Sequence, residues 1–207
     1  MKRSATQAQE AAREFITAMR PEDELATMLF ATKTNLVHPP AKQRDKALEA
    51  IAGYVADGGT ALYDALYESL TQLAPVQGRR VVVVVTDGRD ENAPSTGPGS
   101  LRTWEEVLEK VQQTEAAVYA VGIGKNVDRD HLQQIADRSG GAAYFPTDVT
   151  TLAADYRRIL DELRRRYVLG YLSTNPARNG QWRKVDIRPR RKDVEIRSRG
   201  GYYAPPQ

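Results

Sequence analysis

Two oxygen-bearing side chains, those of Thr60 and Asp87, stand where they could hold a hard divalent cation. Thr60 follows two glycines and precedes a stretch with helical spacing, whereas Asp87 directly follows five consecutive valines and a threonine. Hydroxyl and carboxylate oxygens suit Mg²⁺ or Mn²⁺. Each residue also has a role without a ligand, because threonine often caps a helix and aspartate before glycine often forms a turn. Only the pair together favours a cation site.

Few residues of the chain could support other kinds of chemistry. The chain has no cysteine, which excludes disulfides, thiolate zinc sites and a cysteine nucleophile. Its only histidines, His38 and His131, exclude a three-histidine zinc site. Gly122 and Gly124 lack the third glycine or the lysine of a phosphate-binding loop. An enzyme that uses Asp87 as a magnesium ligand or phosphoryl acceptor is therefore disfavoured, and we predict no enzymatic activity.

The elements that must position Thr60 and Asp87 alternate between helix and strand. Apolar residues recur at helical spacing in six stretches, and strand-like composition is found at 25–31, 81–86, 117–124 and 142–146. The second helical stretch runs through Leu48, Ile51 and Val55, the fourth begins with the capping-box residues Thr103 and Glu106, and the fifth is capped by Asp128 and ends at Gly140 and Gly141. This order predicts an α/β fold that is Rossmann-like and doubly wound, with a mostly parallel sheet and helices on both faces. Val81 to Val85 have the composition of a central strand buried on both sides. Ligands bind such sheets at the carboxyl ends of the strands, where Thr60 and Asp87 are expected.

The end of the chain differs in period and charge. Residues 1–156 hold 16 basic and 22 acidic residues, whereas 157–207 hold 14 basic and 5 acidic ones. Val185 and Ile187, and likewise Val194 and Ile196, alternate with polar residues, which predicts an antiparallel β-hairpin with its turn at 188–193. We therefore divide the chain into an α/β domain over 1–166 and a basic β-hairpin extension over 167–207.

The basic residues of that turn offer a second binding hypothesis. They could contact the phosphates of a nucleic acid or of another anionic surface. The same pattern fits a solvated face of the hairpin, which is the preferred interpretation. The residues concerned are Arg188, Arg190, Arg191 and Lys192.

Three stretches together resemble the von Willebrand factor type A domain family: GGTALYDAL at 58–66, VVVVVTDGRDE at 81–91 and AVYAVGIG at 117–124. Members of that family hold a metal ion in an adhesion site built from a DxSxS motif, a later threonine and an aspartate after a buried strand. Thr60 matches the threonine and Asp87 the aspartate. The resemblance implies Mg²⁺ or Mn²⁺, bound directly by Thr60 and usually through water by Asp87. It also implies a protein-binding or adhesion module whose partner completes the metal shell with a carboxylate.

The sequence departs from the family at its start, because the DxSxS motif and the family's first strand are absent. Met1 resembles the internal methionine that often follows that motif, so we expect a longer parent protein that carries the missing ligands. The cation site is incomplete in this chain, and a metal-independent interaction scaffold is the alternative. Removal of a middle strand leaves its neighbours unpaired, which predicts a marginal, rearranged or partner-completed sheet.

Residues 167–206, from YVLGYL to GYYAPP, are similar to the ending of a bacterial subgroup of the family whose members are often exported. The resemblance implies an exported or cell-envelope parent protein. This sequence itself has neither a secretory signal pattern nor an apolar run of the roughly 20 residues that a membrane helix needs.

Overall fold

A computed structural model of the chain describes residues 2–55, 58–86, 89–146, 149–167, 169–194 and 196–206. Helices and strands alternate along most of this part of the chain, which confirms the α/β prediction. The helices are α1 (Lys2–Ala18), α2 (Asp45–Gly53), α3 (Leu62–Leu73), α4 (Trp104–Thr114), α5 (Arg129–Ser139) and α6 (Val149–Arg165). The strands are β1 (Leu25–Phe30), β2 (Thr34–Ala41), β3 (Val81–Thr86), β4 (Ala117–Gly122), β5 (Ala142–Tyr144), β6 (Trp182–Lys184) and β7 (Gly201–Tyr203).

Two sheets form the α/β part. Strands β3, β4 and β5 are parallel and lie in that order, with Val83 beside Tyr119 and Tyr119 beside Ala142. Strands β1 and β2 form a separate antiparallel pair. Helices on both faces and the parallel sheet confirm the predicted fold class.

In the part of the chain that the structure describes, the valine strand β3 is not central, so the predicted central position is wrong there. Among the described residues β3 forms the edge of the parallel sheet, and its valines alternate between half-buried and buried. The central strand is β4, which is buried along its whole length. Five consecutive valines predict that both faces of a strand are covered by apolar groups. They do not predict whether a neighbouring strand pairs with each of its edges.

The two faces of the sheet have separate hydrophobic cores. On one face, Val82 and Val84 pack with helices α3, α4 and α5, which contribute residues such as Leu66 and Ile135. On the other face, the half-buried Val81, Val83 and Val85 of β3 pack with helices α1, α2 and α6. The helices are thereby fixed to strands whose carboxyl ends point to one edge.

Helix ends follow the local sequence closely. Thr103 and Glu106 form the predicted capping box of α4, with the Glu106 amide 3.3 Å from the Thr103 hydroxyl and the Thr103 amide 2.8 Å from the Glu106 carboxylate. Asp128 caps α5 as predicted, and α5 ends at Gly140 in the left-handed conformation (φ 71°). Helix α2 stops at Gly53, so Val55 lies outside it and is exposed. The predicted extension of that helix to Val55 is wrong.

The C-terminal residues form the predicted antiparallel pair, but with a shifted ladder. Strand β6 pairs with β7, so that Trp182 faces Tyr203 and Lys184 faces Gly201. One further bond joins the Val185 amide to the Gly200 carbonyl at 2.9 Å. The stretches around Ile187 and Ile196, where the pairing was predicted, belong to no strand among the described residues. No helix in the described ranges combines the length and apolar character that crossing a membrane requires.

Candidate functional site

Thr60 lies at the carboxyl edge of the parallel sheet, in a short antiparallel bridge with Glu91. The Thr60 amide donates to the Glu91 carbonyl at 2.7 Å, and the Glu91 amide donates to the Thr60 carbonyl at 3.2 Å. Helix α3 begins at Leu62, and its N-cap is Ala61, which offers no side-chain bond. Thr60 is therefore not the cap of α3. Helix capping, the alternative to metal binding for this residue, is thus removed.

Asp87 and Gly88 lie outside the described residues, so the assignment of Asp87 as a metal ligand stays a prediction. Strand β3 ends at Thr86, and the chain is described again from Arg89 onward. The bridge between Thr60 and Glu91 therefore joins the loop before α3 to the loop that follows Asp87. Thr60 and Glu91 thus lie together at one edge of the sheet.

Asp90 holds the loop after β3 in place. Its carboxylate accepts four hydrogen bonds: from the Tyr63 amide at 3.1 Å, the Gly99 amide at 3.0 Å, the Ser100 amide at 3.0 Å and the Ser100 hydroxyl at 2.5 Å. Because the Tyr63 amide belongs to the first turn of α3, Asp90 also satisfies a donor that the helix leaves unpaired. These bonds show that Asp90 shapes the loop after β3.

Asp64 makes the reciprocal connection from helix α3 to the same loop. Its carboxylate accepts from the amides of Leu101 at 3.0 Å and Arg102 at 2.9 Å, and its own amide donates to the Ser100 hydroxyl at 2.9 Å. The loop after β3 and the start of α3 are thus joined by charge-assisted bonds in both directions. These carboxylates are engaged by main-chain amides and hydroxyl groups.

Two glycines permit the close approach of the two loops. A Cβ atom added at Gly99 would lie 2.2 Å from the Thr60 carbonyl oxygen, and one added at Gly59 would lie 2.6 Å from the Glu91 carbonyl oxygen. Neither distance is compatible with a side chain, since the neighbouring atoms belong to main chain. Both positions therefore require glycine for the bridge to form.

A cluster of three rings at the same edge was not predicted from the sequence. The Tyr63 hydroxyl lies 2.9 Å from His131 Nδ1, which is also 3.0 Å from an Asp128 carboxylate oxygen. The Trp104 ring packs against the His131 ring with centroids 4.5 Å apart, and its Nε1 donates to Gln134 Oε1 at 2.5 Å. A usable signal was present, because Tyr63, Trp104 and His131 each lie in the first turn of a helix.

The surroundings of Tyr63 disfavour its ionisation. Burial, together with the nearby carboxylates of Asp128, Asp90 and Glu105, raises the pKa of the Tyr63 phenol to about 12. Arg89 acts in the opposite direction. The negative charge at the carboxyl edge of the sheet thus helps to keep the Tyr63 phenol protonated.

Among the described residues, few oxygen ligands besides the Thr60 hydroxyl are available to a divalent cation. No group of three or more histidine or acidic side chains lies together within the described ranges. The carboxylates of Asp64, in α3, and Asp90, in the loop after β3, already accept bonds from amides. The residues fit a cation only if Asp87 and further oxygens complete the shell, so the site is a partial one.

The basic residues of the predicted turn are partly neutralised. Arg188 pairs with Asp186 at 2.7 Å, and Arg191 pairs with Asp193 through a short contact and a second bond from its Nε at 3.0 Å. These side chains are exposed, as are those of Arg190 and Lys192. Pairing with local acids reduces the positive field available to phosphates. Binding of nucleic acid through these four residues stays a prediction.

A doubly wound parallel sheet with two loops joined across its carboxyl edge defines an α/β domain with helices on both faces. A profile of the von Willebrand factor type A domain matches residues 2–158, and the chain belongs to that family. Domains of this family commonly act as protein-interaction modules, and they are generally not enzymes. No curated protein matches the sequence.

Solved structures of related fold agree with this assignment. One is a von Willebrand factor type A protein from Catenulispora acidiphila, with 23% identity and a TM-score of 0.59, matched over 75% of this chain and 37% of that one. Another is proximal thread matrix protein 1 from the mussel byssus, described with a zinc-occupied MIDAS motif, with 14% identity and a TM-score of 0.60 over 78% and 43%.

A third is an aerotolerance-related membrane protein from Bacteroides fragilis, with 14% identity and a TM-score of 0.58 over 76% and 88%. At these identities the likeness shows the fold alone. The matched region spans less than half the length of the Catenulispora and mussel proteins.

Proposed function

We propose that this chain is a protein-interaction module whose binding surface is the carboxyl edge of the sheet, and that a divalent cation contributes to that surface. Thr60 would bind Mg²⁺ or Mn²⁺ directly, Asp87 would hold it through water, and a partner's carboxylate would complete the shell. The observation that carries the proposal is the bridge between Thr60 and Glu91, which attaches Thr60 to the loop following Asp87.

Two further features support a role for Thr60 in binding. Its side chain is not the cap of α3, since the helix starts at Leu62 with Ala61 as N-cap. Asp90 and Ser100 already serve the amides of the first turn of α3, so a hydroxyl of Thr60 is not needed there. A hard cation, which prefers oxygen ligands, would take such a hydroxyl.

Thermal unfolding with excess Mn²⁺ and with EDTA tests the cation. A ligand present at 100 times its Kd stabilises the folded state by about 2.7 kcal/mol. We expect Mn²⁺ to raise the melting temperature of the chain, and Thr60→Ala and Asp87→Ala to remove that rise. Thr96→Ala and Asp137→Ala are matched controls that should keep it. If Mn²⁺ leaves the melting temperature of the unmutated chain unchanged, the proposed role of the cation is refuted.

A peptide with one aspartate among neutral residues, and its asparagine counterpart, test the partner's carboxylate. NMR chemical-shift changes near Thr60 should appear with the aspartate peptide in the presence of Mg²⁺ and vanish on addition of EDTA. Equal shifts from both peptides would contradict carboxylate recognition, whatever the outcome of the melting experiment.

A second candidate is an interaction scaffold that needs no metal. The Asp90 carboxylate orders the loop after β3 and the start of α3 through four bonds that involve no cation. Partner binding that survives EDTA, in a chain that melts cooperatively, would favour this scaffold.

An exported or envelope location of the parent protein is a further proposal, supported by the membrane protein among the structural relatives.

A further inference from the structure

Two tyrosines near the end of the chain, Tyr171 and Tyr202, are in direct contact. Their rings meet edge to face, with centroids 6.2 Å apart and ring planes inclined by 79°. The Tyr171 hydroxyl also donates a hydrogen bond to the Tyr202 phenol oxygen. Because each phenol oxygen is attached between the two ortho carbons of its ring, this bond brings ortho carbons of the two rings near each other.

The strand pair β6–β7 places Tyr202 beside Arg183. These two residues are register partners in the antiparallel ladder, so their side chains lie on the same face. The guanidinium group of Arg183 donates to the Ser173 hydroxyl at 3.1 Å and to the Asn175 carbonyl at 2.8 Å. One arginine of β6 thus binds the stretch of chain that begins two residues after Tyr171, which keeps the two tyrosines side by side.

Three hydrogen-bond donors surround the Tyr202 phenol oxygen: the Ser173 hydroxyl, Arg183 Nη1 at 3.4 Å and the Tyr171 hydroxyl. They stabilise the phenolate and lower the pKa of Tyr202 to about 8. Burial acts in the opposite direction in the α/β domain, where it raises the pKa of Tyr63, Tyr144 and Tyr156. A phenolate loses an electron more readily than a neutral phenol, so Tyr202 is the favoured site of one-electron oxidation in this contact.

Both rings are accessible to reagents in solution. The exposed fraction of Tyr171 is 61%, and Tyr202 is half-buried. Tyr171 lies outside any helix or strand, so its ring can approach that of Tyr202 without disturbing a regular element. The chain has no cysteine, so a disulfide cannot attach the C-terminal strands to the residues before them. Coupling of two tyrosines is an oxidative cross-link that needs no thiol.

We propose that Tyr171 and Tyr202 form an oxidative cross-linking site, at which a haem peroxidase and hydrogen peroxide join the two rings through a bond between ortho carbons. Each phenol loses one electron and one proton to give a phenoxyl radical, and the two radicals couple. The hydrogen on each coupled carbon then moves to the oxygen of its ring, which restores both phenols. The two electrons and two protons reduce one hydrogen peroxide to two waters. The bond attaches β7 to the chain after α6 and involves none of the residues proposed to bind a cation.

Treatment of the full chain, at low concentration, with a haem peroxidase and hydrogen peroxide tests this proposal. We expect a product that stays monomeric on a denaturing gel, weighs two hydrogen atoms less than the untreated chain and shows the blue fluorescence of dityrosine. Peptide mapping should join the tryptic peptide that contains Tyr171 to the one that contains Tyr202. A product without this link, or one whose cross-links all join separate chains, would overturn the proposal.

Single substitutions assign the bond, because each of these two tryptic peptides contains a second tyrosine. Tyr171→Phe and Tyr202→Phe should each abolish the link within the chain, whereas Tyr167→Phe is the matched control that should retain it. Tyr167 is 88% exposed, more than Tyr171, so a reaction governed by exposure alone would involve Tyr167 instead. Retention of the link in Tyr171→Phe or Tyr202→Phe, or its loss in Tyr167→Phe, would overturn the assignment. Far-ultraviolet circular dichroism verifies that the three variants are folded.

The cross-linked chain should also unfold at a higher temperature than the untreated chain. A covalent bond between residues far apart in the sequence lowers the entropy of the unfolded state, as a disulfide does. Tyr202→Phe, given the same treatment, is the control for other oxidation products and should keep its melting temperature. Equal melting temperatures of the linked and untreated unmutated chains would overturn the attachment of β7 by this bond.

Discussion

The main-chain groups of Thr60 and Glu91 bond to each other in both directions, at 2.7 and 3.2 Å. This single pair connects the loop before α3 to the loop after β3, and it does so at the carboxyl edge where α/β sheets bind ligands. The bonds involve only main chain, so the spacing of the two loops does not depend on the side chain of either residue. Thr60 can consequently be varied without separating the loops.

Gly99→Ala should disturb this pairing. The added methyl group would lie 2.2 Å from the Thr60 carbonyl oxygen and 2.8 Å from that of Glu91, so the loops must move apart. We expect a loss of stability of about 1–3 kcal/mol in urea unfolding. Gly97→Ala is the control, because its methyl group would meet nothing closer than the Asn92 side chain at 3.6 Å. Equal effects of the two changes would contradict the steric explanation.

Asp90→Ala should be more damaging than removal of an ordinary surface acid. It leaves the amides of Tyr63, Gly99 and Ser100 without their acceptor, and bonds to a charged group contribute about 1.5–3 kcal/mol each without being additive. We expect a loss of about 2–4 kcal/mol in urea unfolding. Asp137→Ala, on the exposed side of α5, should change stability by less than about 0.5 kcal/mol.

Tyr63 should make stability fall at high pH. Its pKa is about 12 in the folded protein, above the ordinary value of 10.0, so between these values the folded state keeps a proton that the unfolded chain loses. The free energy of unfolding therefore decreases as the pH rises from about 10 to about 12. Tyr63→Phe should flatten this decrease, which urea titrations at a series of pH values can measure. A slope unaffected by Tyr63→Phe would rule out this origin.

Thr103→Ala should weaken the start of α4. The hydroxyl accepts from the Glu106 amide at 3.3 Å, and the Glu106 carboxylate accepts from the Thr103 amide at 2.8 Å. Loss of such a cap costs about 1 kcal/mol, which urea unfolding can measure. Thr96→Ala, whose side chain bonds only Asn92 among the described residues, should cost less. The reverse order would contradict the capping assignment.

The sequence predicted those features that depend on neighbouring residues. The capping box at Thr103, the cap at Asp128 and the end of α5 at Gly140 follow from local geometry, and all three are present. Strand β2 escaped prediction because Pro39 and Pro40 remove two ladder donors, and proline within such a run argues against a strand. Its partner β1 supplies the pairing that the local sequence does not reveal.

Features that depend on distant residues were not predictable in the same way. The valines of β3 fix two apolar faces, but an edge or central position depends on strands elsewhere in the chain. Asp90 gave no local sign of its bonds to Gly99 and Ser100, because these form only when the loop closes. The contact of His131 with Tyr63 joins residues 68 positions apart, through the packing of α3 against the helices beside it.

The two tryptophans of the chain lie in its two proposed parts. Trp104 is buried at the start of α4, whereas Trp182 is 38% exposed in β6, where it packs edge-on against Tyr203 at 5.0 Å. Each therefore serves as a built-in fluorescent reporter for one part, and replacing either by phenylalanine leaves a single emitter. Coincident transitions from both emitters would reveal one cooperative unit, whereas an earlier transition at Trp182 would mark the C-terminal strands as an independently melting appendage.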